Sequence, residues 1–213
     1  MASGLLPLFP LELVLFPGAP LPLHIFEPRY RVMIGRAIDE KSEFGVVQAH
    51  KNAIEAIGCS ALVSRVVKQY DDGRFDILAR GVRRFRTVSL DQTEEFLQAE
   101  IDFFDDVAEP PLTEPELDGL RAAMLEAGKL AGATDLPALD PEQPQPSFQA
   151  AAALPLDLTL KQRLLALQSE KQRAAQLTEY LRSWIDRRRE MERARAVATR
   201  NGRVRKLEGS AEQ

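Results

Sequence analysis

Six prolines within residues 6–31 constrain this chain more than any other feature of its sequence. The stretch reads LPLFPLELVLFPGAPLPLHIFEPRYR and is otherwise largely apolar. A membrane-spanning helix needs about 20 apolar residues in unbroken helical geometry. Proline removes a backbone donor and collides with the preceding turn. Pro7, Pro10, Pro17, Pro20 and Pro22, with Glu12 among them, therefore exclude such a helix. No basic residue precedes the run, which argues against a secretory signal. The remaining reading is a short strand from Leu11 to Phe16, a turn at Pro17–Gly18 and an extended segment to Phe26.

The rest of the chain divides in two. Pro28 suits the first position of a helix, where its missing donor costs nothing. Tyr30, Met33, Ile34, Ala37 and Ile38 then give the helix Arg29–Glu40 one buried stripe. Strand-like runs follow at Phe44–Ala49, Cys59–Tyr70, Arg74–Arg80, Val82–Leu90 and Phe96–Phe104, with a hairpin signal at Asp71-Asp72-Gly73. Short strands at this spacing around one helix predict a small closed or nearly closed β-barrel. Past Val107 the pattern turns helical. Thr113 and Glu116 form a capping box, and Leu117, Leu120, Met124, Ala127 and Ala131 give that helix an apolar face. Pro137–Pro146 reads as a loop. Ser147 is expected to cap a short helix and Asp157 the next one. Ser169 with Gln172 starts a long helix whose buried side carries Ala174, Leu177, Leu181, Trp184 and Ile185. The expected organisation is α+β: a β-barrel over residues 1–107, an α-helical bundle of about four helices over 108–199, and a disordered basic tail over 200–213.

The first segment resembles the start of the N-terminal domain of Lon protease, where LPLFP, LFPG and LPLHIFEPRYR occur in the same succession. Gly58, the run Asp72-Gly73-Arg74-Phe75 leading to Ala79-Arg80-Gly81, Arg84-Phe85-Arg86 and the segment Leu154–Leu165 agree with it. The resemblance covers about residues 5–187 and implies a PUA-like barrel followed by a helical bundle. It also implies recognition of unfolded polypeptide. The relative's engine has no counterpart here. Gly128-Lys129 lacks the earlier glycine of a phosphate-binding loop, and Leu130 stands where a hydroxyl residue would meet Mg²⁺. No serine–lysine catalytic segment is present. We expect no enzyme activity and no cofactor.

Individual residues add little chemistry. Cys59 is the sole cysteine, so no intramolecular disulfide forms, and one Cys with two His cannot make the usual structural zinc site. Cys59 reads as a small buried strand residue rather than a nucleophile served by His24 or His50. His24 is expected to bond a backbone carbonyl, Glu27 to cap the first helix and Arg29 to form an internal ion pair. Asp105, Asp106 and Glu109 read as a solvated turn. Arg80, Arg83, Arg84 and Arg86 with Phe85 suggest a nucleic-acid groove, but neighbouring acidic residues and a net charge of −4 argue against it. The basic run Arg187–Lys206 reads as a solvated helix face.

The function expected is therefore a non-catalytic polypeptide-binding module. The alternatives are an adaptor that docks on one protein partner, with self-association through the helical region, and an RNA-binding PUA-like protein. Catalytic residues, metal ligands and cofactor-binding residues are each expected to be none. The polypeptide-binding residues are expected to be Phe9, Phe16, His24, Phe26, Arg29 and Tyr30, with the cleft between barrel and bundle as a second location. Strand addition at an open sheet edge is a further route. The setting expected is cytoplasmic, without membrane contact.

Overall fold

The structure is a computed structural model that describes residues 5–51, 53–133, 136–139 and 145–208, with side chains described as far as 195. Its elements are β1 (Leu6–Leu11), β2 (Pro20–Ile25), α1 (Pro28–Glu40), β3 (Phe44–His50), β4 (Ala53–Gln69), β5 (Phe75–Asp91), β6 (Gln98–Phe103), α2 (Glu114–Ala131), α3 (Pro146–Ala153), α4 (Leu158–Ala166) and α5 (Glu170–Glu208). One six-stranded sheet, order β2-β5-β4-β3-β1-β6, is followed by four helices. The chain has the α+β class expected from its pattern.

The sheet joins back on itself. β5 pairs with β4 through Phe75–Arg86, with β2 through Phe75–Arg80 and with β6 through Phe85–Asp91, so β5, β4, β3, β1 and β6 form a closed ring. The first strand lies earlier than expected. It is Leu6–Leu11, parallel to β3, and the stretch toward Phe16 is not a strand. Alternation explains the choice, because adjacent strand residues point to opposite faces. Leu8 enters a small cluster with Val47, Phe85 and Ala99, while Phe9 enters the larger one with α1. The expected break between Arg80 and Val82 is absent, and β5 runs through it. α1 buries Tyr30, Met33, Ile34 and Ala37 on that larger cluster.

The helical part has its own core. Leu117, Leu120, Met124 and Ala127 of α2 meet Leu177, Leu181 and Ile185 of α5, but Ala131 is exposed. Thr113 N–H and Oγ1 both donate to Glu116, completing that capping box. Asp157 accepts from the N–H groups of Thr159 and Leu160 at the start of α4. α3 differs from expectation. It begins at Pro146, and Ser147 is not its cap, because the Ser147 hydroxyl is held by α5. α5 continues past Gly202 to Glu208. Residues 209–213 of the expected tail lie outside the described residues. No described helix is long and apolar enough to cross a membrane.

Candidate functional site

The segment between β1 and β2 links the sheet to the helices. Phe16, 1% exposed, leaves the sheet and stacks on Phe148 of α3 with ring centroids 5.1 Å apart. The next residues turn sharply. Gly18 sits at φ +76, and its N–H donates to Gly81 O at 2.9 Å. Gly81 N–H donates to Ala19 O at 3.0 Å. A Cβ on Gly81 would stand 2.2 Å from the Phe16 carbonyl oxygen, so only glycine lets the two backbones approach this closely. The Pro17–Gly18 turn is where the sequence puts it, and Gly81 is its counterpart on β5.

Beside this turn a buried ion network fastens the two parts together. Arg84 of β5 and Arg173 of α5 are 2% and 0% exposed at their side chains. Both donate to Asp106, with Arg173 Nη1 at 2.6 Å and Gln145 adding a bond at 2.9 Å. Arg84 also donates to the carbonyls of Leu165 and Leu167, and Arg173 to Glu170 and Ser147. Phe148 lies beneath the guanidinium of Arg173, 4.2 Å from its ring centroid. Burial would raise the Asp106 pKa, but the bonds from Arg173 and Gln145 and the positive charges of Arg173 and Arg84 outweigh it. The carboxyl is held below its ordinary range. Glu170 is pushed up by burial, against its bonds to Ser147 and the charge of Arg173. Glu109 takes the Ser169 hydroxyl and the Lys171 N–H at the start of α5. The expected Ser169–Gln172 box is thus half formed: Gln172 N–H donates to Ser169 Oγ, and Glu109 holds the hydroxyl. Asp106 and Glu109 are not a solvated turn; they are hooks between the sheet and the helices.

Against this support opens a cleft of about 750 Å³, between residues 13–21, α3 and α4. Leu13, Val14 and Ala152 supply apolar wall over the buried Phe16–Phe148 stack, and Pro17 and Pro20 stiffen the rim. Its charged side chains are Arg80 and Lys161; no Asp or Glu is among the described residues that line it. Burial lowers the Lys161 pKa, and no described carboxylate pairs with it.

The residues expected to contact polypeptide are divided by the fold. Phe9 (7% exposed) packs on Tyr30 (7%) at 4.2 Å, and Phe16 lies in the helical core, so these three rings hold the structure instead of offering surface. His24, Phe26 and Arg29 remain outside. Phe26 is 60% exposed and stacks with His24 at 6.0 Å. His24 Nδ1 is 2.6 Å from Asp76 Oδ1, so its partner is a carboxylate and not the expected carbonyl. Glu27 occupies the N-cap position of α1, but its side chain makes no cap and pairs with Arg29 at 2.8 Å. Cys59 is fully buried, its thiol pushed up to about 12 by burial, and neither His24 nor His50, which pairs with Glu55, bonds it. The arginine cluster is dispersed: Arg83 pairs with Asp105, Arg84 enters the network, Arg86 approaches Phe104 and Arg80 reaches the cleft. Among the described residues no group of three or more His, Cys, Asp or Glu could hold a metal ion.

β2 is the outer strand beyond β5, and its free edge is poorly suited to strand addition. Ala19 O points to β5, where it accepts from Gly81. By alternation Pro20, Pro22 and His24 turn their backbone groups outward. Two of the three carry no N–H, which is the usual protection of an edge strand.

Comparison with known proteins agrees with this architecture. Residues 5–183 match the family model of the ATP-dependent protease La (LON) substrate-binding domain. Lon protease 2 of Syntrophobacter fumaroxidans is 27% identical over 193 residues, covering 83% of this chain and 24% of its own. Lon protease of Parabacteroides distasonis is 28% identical over 144 residues, 63% of this chain and 17% of its own. The chain thus spans less than a quarter of the length of these relatives. Among solved structures, a Lon N-terminal domain protein from Xanthomonas campestris superposes with a TM-score of 0.66 at 26% identity, covering 83% of this chain and 98% of that one. The N-terminal domain of a Mycobacterium avium complex Lon protease has the same fold at a TM-score of 0.54 and 17% identity, covering 84% of this chain and 98% of that one. On these grounds the chain belongs to the family of the Lon protease N-terminal, substrate-binding domain.

Proposed function

We propose that these 213 residues bind unfolded polypeptide and carry out no covalent chemistry of their own. The observation that carries this reading is the cleft: apolar walls on a rigid support, in a chain of a substrate-binding family. Its floor is fixed from beneath by the Phe16–Phe148 stack and the Arg84–Asp106–Arg173 network, so binding does not need to order the site first. From Pro20 at the cleft, β2 leads to Phe26, about 20 Å away at the usual rise per strand residue. Phe26, with His24 and Arg29, forms a second contact for a chain lying along this strand. In the same reading the closed strand ring is the PUA-like barrel that the resemblance implies, the helical part its bundle, and the setting cytoplasmic. Self-association through α5 draws little support from its described part. Between Asp186 and Arg195, Met191 is the one large apolar side chain.

Fluorescence anisotropy with a permanently unfolded protein, such as reduced and carboxymethylated lactalbumin, tests the proposal. Saturable binding with a Kd of about 10–100 μM is expected, which corresponds to about 5–7 kcal/mol. The native, disulfide-intact form should not compete. No binding at several hundred micromolar, or turnover of ATP by the purified chain, overturns the proposal.

A further inference from the structure

We infer that the cleft selects extended segments in which Asp or Glu side chains flank apolar ones. The inference rests on the polypeptide-binding reading above and names its substrate class. Three observations carry it. The charged side chains on the cleft wall, Arg80 and Lys161, are both cations, and no described acidic residue lines it. Neither charged group has a hydrogen bond or ion pair within the described residues, whereas Arg83, Arg84 and Arg173 each have one. Lys161 is also partly buried beside apolar wall, where an uncompensated ammonium is costly and an incoming carboxylate relieves the cost.

The anion recognised is a side chain and not a chain terminus. Capture of a terminal carboxylate uses a nest of free backbone N–H groups. Here Pro17 and Pro20 have none, Gly18 N–H is spent on Gly81 O, and Ala19 N–H on Phe16 O. The two flexible cations are what remains to meet an anion. They suit carboxylates projecting from an extended strand whose apolar residues lie against Leu13, Val14 and Pro17.

The test uses labelled twelve-residue peptides, acetylated and amidated, in which Leu and Phe are separated by Glu, by Gln or by Lys. Anisotropy at low salt is expected to give the Glu peptide about tenfold tighter binding than the Gln peptide, from one ion pair at partly buried Lys161 and one at exposed Arg80. The ratio should collapse toward one at 0.5 M salt. Lys161→Met and Arg80→Gln should each cut it at least threefold with unchanged melting temperature, while Arg187→Gln, exposed on α5 and absent from the cleft lining, leaves it intact. Equal affinity for Glu and Gln peptides overturns the selectivity and leaves polypeptide binding standing. Failure of all three peptides to bind overturns both. A Gln peptide with a free C-terminus that matches the Glu peptide assigns the cations to chain ends and overturns the inference. So does a tenfold gain in Glu-peptide affinity when Asp140 and Glu142, outside the described residues, are changed to Asn and Gln, since the cations are then already engaged.

Discussion

Replacing Asp106 with Ala should be among the most damaging single changes in this protein. Its carboxylate receives Arg84, Arg173 and Gln145, and the two guanidiniums are almost wholly buried. With Asp106 and Glu170 ionised, the four charges of the network sum to zero. Without Asp106 a net positive charge remains on two almost wholly buried guanidiniums that face each other. Removing one partner of a buried ion pair costs about 3–5 kcal/mol. That is two to four powers of ten in the folding equilibrium, out of about 5–15 kcal/mol for an ordinary domain. At an m-value of about 3 kcal/mol/M, the urea midpoint should fall by about 1–1.7 M. The assay is urea denaturation followed by backbone circular dichroism and by the fluorescence of Trp184, which reports on α5. Asp106→Asn keeps the shape and loses the charge, and should lose at least half as much. Glu95→Gln, at an exposed position, should stay within about 0.5 kcal/mol. A midpoint for Asp106→Ala within 0.3 M of the wild type, against that m-value, would refute the view that this carboxylate holds the sheet to the helices.

Three further outcomes follow from the same contacts. Gly81→Ala forces a Cβ against the Phe16 carbonyl and should cost about 1–3 kcal/mol by overpacking, read as a lower midpoint; a neutral result would mean the turn can shift freely. Cys59 should not react with a thiol reagent in the folded protein over hours and should react within minutes in 6 M urea, because the thiol is buried and its pKa lies near 12. Stability should fall as pH drops below about 4: the depressed Asp106 carboxyl adds stability above its unfolded pKa of about 3.9, and this is lost as pH falls through its folded value. Glu170, raised by burial, works in the opposite sense, favouring the folded state below about 4.3. Asp106→Asn should therefore flatten the acid limb, and an unchanged slope would contradict the assignment.

Local signals were legible in the sequence, and long-range ones were not. The stripe of α1, the Thr113–Glu116 box and the Asp157 cap each depend on residues a few positions apart, and each is found where expected. The first strand slipped because prolines obscure the alternation that sets strand limits, and pairing with β3 decides them instead. Phe16 looks like exposed surface in a proline-rich run, but its partner Phe148 comes from a helix far along the chain. Asp106 and Glu109 look like a solvated acidic turn for the same reason, since Arg84, Arg173 and Lys171 all lie distant in sequence. In the candidate site, Phe9, Phe16 and Tyr30 are core, and Phe26 alone of the four aromatic residues named is exposed. Arg80, singled out only as part of an arginine cluster, and Lys161, not singled out at all, line the cleft. Nothing local distinguishes a cleft lysine from a surface lysine; only the packing of α4 against the sheet does.

The most direct test of the account is an amide and methyl NMR titration of the ¹⁵N,¹³C-labelled chain with an unfolded, disulfide-free polypeptide. Shifts concentrated on residues 13–21, Arg80, Phe148 and Lys161, and extending along β2 to Phe26, are the predicted result. Shifts confined to the groove between α2 and α5, or no shifts at saturating polypeptide, would contradict it.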